Sequence, residues 1–364
     1  MECAPVASSM ADHSLRLALA ATMLTVAACR SDQAESSSSA SGSPPDTMTA
    51  AFEWYPSVTA PADAPMKVIQ GAFVLPDGQE IGLPVQSVIH QGWGSPGNVE
   101  LREPRRKGAP ARLDVRWFSY TENAFFRAAL PLDAPKIAAL LATPFPVPTP
   151  AGTARYDGLV VGLAPEGIVT VWVTGRSQHR RVAQSVGALD TSADWKTLHP
   201  NMTISREEHV ANTIRRRLGA DVLEALAMRA PSGAFWRDAA IDQPLQPVVT
   251  GAATVEQVTW HYADGEVEQL LGPAALTPPA RERSVPIAVS LDFALAGGAW
   301  FRADIAFNAE TTLAAARRLA GTASDSPLVV AVDVSGAPGR AAVSMRGRDL
   351  LVPLETIRAE IARR

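Results

Sequence analysis

The feature that most constrains the fold is an order of local signals that occurs twice along the chain. Leu113, Val115 and Trp117 alternate with Asp114 and Arg116, the period-two pattern of a half-buried strand. A polar turn, Ser119–Asn123, leads into a second apolar segment, Ala124–Leu132. Asp133–Leu141 then predicts a short helix, with Asp133 as N-cap and Pro135 in the first turn. Leu159–Leu163 and Ile168–Val173 follow as a hairpin around Ala164-Pro165-Glu166-Gly167. In the second half, Pro286–Phe293 and Ala299–Phe307 match the strand pair, and Asn308–Leu319 matches the helix, with Asn308 as its cap. Leu328–Val332 and Ala341–Met345 match the hairpin, turning at Gly336–Gly339.

Short identities tie the halves together. AFFRA at Ala124–Ala128 answers AWFRA at Ala299–Ala303, an offset of 175, and LVV at Leu159–Val161 recurs at Leu328–Val330. Further strands precede each unit, at Met66–Leu75 and Thr254–Tyr262. The expected architecture is α+β: two related units of antiparallel strands with one packed helix each (strand-strand-helix-strand-strand), over residues 52–190 and 246–364. Each unit is expected to own a core. Residues 191–245 join them as a helical connector that opens on a capping box, Ser205-Arg206-Glu207-Glu208. Val210, Ile214 and Leu218 fall on one helical stripe, which is expected to pack between the units.

The N-terminal segment fixes an expected location. Twelve uncharged residues, Leu17–Ala28, follow Arg16 and end in Val26-Ala27-Ala28-Cys29. As a helix this run reaches about 18 Å, short of a ~30 Å hydrocarbon core, so it reads as a signal peptide over residues 1–28. Cys29 after two alanines resembles a bacterial lipobox, which implies a lipid on its thiol and a membrane anchor. Arg30 follows it where aspartate would signal retention, and the resemblance to lipoprotein sorting signals implies the outer membrane, facing the periplasm. Residues 29–51 are rich in Ser, Gly and Pro and read as a flexible tether with a reach on the order of 25 Å.

The net formal charge of −4 and the lack of a long basic block argue against nucleic acid as a partner. No G-x-S-x-G, H-E-x-x-H, Walker or dinucleotide-binding motif occurs, so no catalytic residue, cofactor or metal is expected. His90, His179, His199, His209 and His261 are scattered without i, i+3 or i+4 pairs and read as ordinary histidines. Asp114 and Glu122, beside the WFSY segment, read as structural.

FEWYPSVTAP (Phe52–Pro61), GWGSPG (Gly92–Gly97), LDVRWFSYTENAFFRA (Leu113–Ala128) and YDGLVVGLAPEGIVTVWVTG (Tyr156–Gly175) resemble the domain-of-unknown-function family 2931 of bacterial lipoproteins. The resemblance runs from about Phe52 through the second unit. One departure is Phe125-Phe126, where the family pattern ends in Phe-Tyr. The resemblance implies fold and location and brings no activity with it.

Two aromatic residues are the candidate partner contacts. Trp93 sits between Gly92 and Gly94 in a loop that Pro96 should stiffen, and Tyr120 sits at the WFSY hairpin tip. Trp54, Trp117, Trp172, Trp260 and Trp300 lie in strand-like surroundings and are expected in the core. The sequence thus reads as a membrane-tethered periplasmic lipoprotein acting as a non-enzymatic binding protein. One version is an immunity-type partner of a secreted antibacterial toxin. The alternatives are an envelope-assembly or glycan-binding lipoprotein and, behind these, a hydrolase with a site assembled from distant residues.

Overall fold

A computed structural model describes residues 50–85, 87–97, 104–228, 232–320 and 326–364. The signal peptide, Cys29 and nearly all of the tether lie outside the described residues. The described residues form one compact unit.

The first half runs β1 (Phe52–Glu53), β2 (Tyr55–Thr59), β3 (Met66–Val74), β4 (Glu80–Gly82), β5 (Arg106–Lys107), β6 (Arg112–Ser119) and β7 (Ala124–Pro131). After α1 (Ala134–Ala142) come β8 (Phe145–Pro146), β9 (Thr153–Ala154), β10 (Gly158–Ala164), β11 (Ile168–Gly175), β12 (Gln178–Val186) and β13 (Ala188–Leu189). The antiparallel meander β13-β7-β6-β3-β4 packs its inner face on β10 and β11, and β2 pairs in parallel with β10. Period-two alternation decides which residues meet. Leu113, Val115 and Trp117 of β6 join Leu159, Val161 and Leu163 of β10 and Val169, Val171 and Val173 of β11 in one core. Asp133 Oδ1 accepts the Lys136 N–H at 2.9 Å, so α1 starts where its cap predicts.

The connector holds α2 (Trp195–Leu198), α3 (Arg206–Leu218), α4 (Ala220–Met228) and α5 (Ala234–Ala239). Ser205 Oγ accepts the Glu208 N–H at 3.1 Å and α3 stops at Gly219, whose φ of 108° suits glycine. Its stripe does not lie between the halves as expected. Val210 and Ile214 pack on Phe118, Tyr120 and Phe125, the outward side chains at one end of the first meander, with Trp195 and Leu218 beside them. The reason is local: β6 and β7 leave this aromatic end apolar on both faces, and the amphipathic helix buries the outer one.

The second half runs β14 (Gln243–Thr250), β15 (Thr254–Tyr262), β16 (Val267–Leu271), β17 (Arg281–Arg283), β18 (Pro286–Ala294), β19 (Trp300–Phe307), α6 (Ala309–Ala320), β20 (Leu328–Asp333), β21 (Ala342–Arg346), β22 (Leu351–Pro353) and β23 (Thr356–Arg363). Its meander is β16-β15-β18-β19-β23, and β14 pairs in parallel with β20. A second core gathers Val258 and Trp260 of β15, Val289 and Leu291 of β18, and Val330 and Val332 of β20. The mixed α+β class, strand-rich with few helices, is as the sequence implies.

The halves meet edge to edge. β12 pairs with β16 through Gln178↔Glu268 and His179↔Val267, making one nine-stranded sheet, β2-β10-β11-β12-β16-β15-β18-β19-β23. One sheet therefore crosses the boundary while the two cores stay apart. Charge locks the seam. Glu268, buried, takes Arg180 at 3.1 Å and Arg283 at 2.7 Å, and also pairs with Arg281. Burial alone would raise the Glu268 pKa, but the three guanidiniums hold it below its ordinary value. Arg181 pairs with Asp242 at 2.7 Å and lies 3.5 Å from Asp264. Burial first, then Glu266, pushes the Asp264 carboxyl up to about 7.

Candidate functional site

Each meander turns its outer face away from a core, and both outer faces carry polar side chains in cross-strand rows. On the first, Gln70 lies opposite Arg116, Arg116 opposite Arg127, and Arg127 opposite Ala188. The adjacent row is Gly82, Ala72, Asp114 and Ala129. Small side chains in that row sink the floor, and a groove of about 780 Å³ results. Val186 on its wall and Leu189 just beyond are exposed. Two of its charged residues, Asp114 and Arg116, are held in ion pairs. Arg112 Nε and Nη2 donate to the Asp114 carboxylate at 2.8–3.0 Å, and Arg116 pairs with Asp190 at 2.5 Å. Burial opposes ionisation of Asp190, but hydrogen bonds from Ser192 and the charge of Arg116 hold its pKa below the ordinary value. Glu122 is likewise structural: its Oε1 accepts the Glu166 backbone N–H at 2.8 Å, tying two hairpin tips together.

On the second meander the equivalent row is Gln257, Asp292, Arg302 and Ala362. Next to it run Gln269, Thr259, Ser290, Asp304 and Glu360. A third row brings His179 of β12 across Val267 to His261. Ser290 Oγ donates to Asp304 at 2.5 Å, Gln257 Nε2 to Asp292 Oδ2 at 2.5 Å, and Gln269 Nε2 to Gln257 Oε1 at 2.9 Å. His179 is 8 % exposed, and burial, with the neighbouring His261, lowers its pKa to about 4. Burial lowers the His261 pKa as well, against the pull of Asp304. No local sequence pattern points to this pair. The two histidines are 82 positions apart, and only the β12–β16 seam places them on one surface.

Neither aromatic candidate is an open anchor. Trp93 is half-buried, its ring 4.9 Å from Trp172 and 6.1 Å from Trp236, and its Nε1 is enclosed without a hydrogen-bond partner. The flanking glycines serve packing: a Cβ on Gly94, at φ 75°, would stand 2.6 Å from the Gly265 carbonyl. They let the loop lie flat on the sheet rather than project from it. Tyr120 is 2 % exposed, 5.1 Å from Phe118 and 6.1 Å from His209, and burial pushes its hydroxyl up to about 12. Its place at a hairpin tip suggested exposure, but the connector covers that tip. Trp54, Trp117, Trp172 and Trp260 are buried as expected, whereas Trp300 is 38 % exposed. Trp300 opens β19 on the outer face, in the register that Phe125 holds on β7, and no connector helix packs on it. Among the described residues no cluster of three or more His, Cys, Asp or Glu could hold a metal ion, and no helix is long and apolar enough to cross a membrane.

No curated protein and no solved structure matches the chain. A family match covers residues 37–222, just over half of the sequence, and stops inside the connector rather than continuing through the second half. It takes in the WFSY hairpin, the first groove and the helix that covers Tyr120. On that match the chain belongs to the family described as protein of unknown function, DUF2931.

Proposed function

We propose that this protein is a lipoprotein of the bacterial envelope, anchored through lipid on Cys29 and facing the periplasm from the outer membrane. There it binds a protein partner without catalysis. The reading of the body rests on the first groove. Asp114 and Arg116 in its lining are held in ion pairs, which suits recognition, whereas general acid or base chemistry needs a group free to exchange a proton. Exposed Val186 and Leu189 at its edge supply the apolar contact that a protein partner would bury. A secreted antibacterial toxin, which the protein would neutralise, and a structural component of the envelope are the two partner types this reading entertains.

The reading also takes the halves as two related units. Each consists of a parallel strand pair extended by antiparallel neighbours, packed on a five-stranded meander, with the strands in the same chain order. AFFRA and AWFRA support it at residue level. Phe126 and Phe301 are both buried in a core, and Arg127 and Arg302 both point outward, at the same offset of 175.

Two measurements test the proposal. A Cys29→Ser chain in a bacterial host should lose metabolic labelling by a fatty-acid analogue; undiminished label would remove the anchor. A photo-crosslinking residue at Arg127 should join the chain to one envelope or toxin protein, while the same probe at Lys136, outside the groove, should not. Equal adducts from both positions would refute the groove as the binding surface.

A further inference from the structure

The outer face of the second meander holds two buried polar atoms that find no hydrogen bond among the described residues. His179 Nδ1 and Asp292 Oδ1 both lack a hydrogen bond, and their residues are 8 % and 4 % exposed. Arg364 makes a long ion pair with Asp292 Oδ1, at 3.6 Å, beyond hydrogen-bond distance. Both side chains line one cavity of about 290 Å³, together with Gln257, Thr259, Ser290 and Gln269. A second cavity, of about 370 Å³, continues from it past His179 and His261 to Trp93. A buried polar atom without a hydrogen bond is costly, so the groove suits a ligand rich in hydrogen-bonding groups.

We propose that this groove is a second binding site and that its ligand is a short neutral oligosaccharide. The ligand must bring a donor to Asp292 and a hydroxyl, which can donate or accept, to His179 Nδ1. It must also tolerate a lining whose charges balance. Asp292, Asp304 and Glu266 face Arg176, Arg302 and Arg358 along the same two cavities, so a net charge of either sign on the ligand meets repulsion. His179 is uncharged at neutral pH and does not tip that balance. The paired amides Gln257 and Gln269 and the hydroxyls of Thr259 and Ser290 both donate and accept, as the alternating hydroxyls of a sugar require. The length of the two joined cavities suits a chain of a few sugar rings rather than one. This groove shares no residue with the first, so either reading can fail without the other.

The test uses the purified full chain with ¹⁵N-labelled histidine and four probes: maltotriose, tri-N-acetylchitotriose, trilysine and trigalacturonate. At least one neutral trisaccharide should shift the ring nitrogen resonances of His179 and His261. Titration calorimetry should then give an affinity that Asp292→Ala weakens by about tenfold or more, the loss of a bond to a charged acceptor. Ser290→Ala, at a half-buried position, should weaken it by about threefold and guards against a folding defect in the first variant. Shifts with trilysine or trigalacturonate alone would overturn the ligand class. Silence from all four probes, or full affinity in both variants, would overturn the site.

Discussion

The outer faces of the two meanders share a strand order and a register yet end differently. On the first, Phe118 and Phe125 lie under Trp195, Val210 and Ile214, and Arg206 caps the cluster from 5.2 Å above the Phe118 ring. Arg206 Nε also donates to Asn123 Oδ1 at 2.6 Å, fastening the helix to the hairpin turn. On the second, Trp300 takes the place of Phe125, and solvent takes the place of the helix. A connector of ordinary amphipathic design thus turns half of one face into a third small core and leaves its counterpart as surface. What differs is the cover, not the sheet.

Three measurements bear on that contrast. The largest effect should come from Phe125→Ala, which opens a cavity beneath the connector. It should cost about 3–5 kcal/mol in denaturant unfolding, with loss of helical signal from α3. A cost near zero would mean the helix holds to the sheet without its aromatic footing. Next comes the titration of the second face. The unfolded chain protonates His179 near its ordinary value of 6.5, but the folded chain only near 4. Stability present above about pH 6.5 is therefore lost as pH falls towards 4, on the order of 2–3 kcal/mol. Asp264 acts in the opposite sense: with its pKa raised from 3.8 to about 7, its contribution is full below about pH 4 and is lost as pH rises towards 7. His179→Gln should flatten the acid side of the melting-temperature profile relative to the parent chain; parallel profiles would place the imidazole in solvent. The smallest effect is Trp300→Ala, expected within about 0.5 kcal/mol of the parent. A loss as large as that of Phe125→Ala would show that the second face is covered after all.

Much of this architecture can be read from periodicity because the strands that carry it are half-buried. β6, β15 and β18 alternate apolar and polar side chains, and the caps Asp133, Ser205 and Asn308 sit where their helices begin. β12 was harder. QHRRVAQSV has little period-two contrast because its middle is half-buried throughout and mixes polar with small apolar side chains on both faces. Trp300 misled because hydrophobicity reports burial only where something covers the face. The second groove is illegible for a different reason: its residues come from six strands, β12, β15, β16, β18, β19 and β23. Their meeting depends on two backbone pairings at the seam, and no local pattern encodes a seam.

Joining β12 to β16 also removes one free edge from each half. An unpaired edge is a template on which another chain can add a strand, so fewer edges mean fewer routes to self-assembly. The nine-stranded sheet still ends in β23, eight residues long and largely exposed. Arg358, Glu360 and Arg363 stud that strand, with Arg358 and Glu360 well exposed. A second copy adding itself there would have to strip water from those charges. The last strand thus serves as a guard rail against polymerisation as well as a member of the sheet.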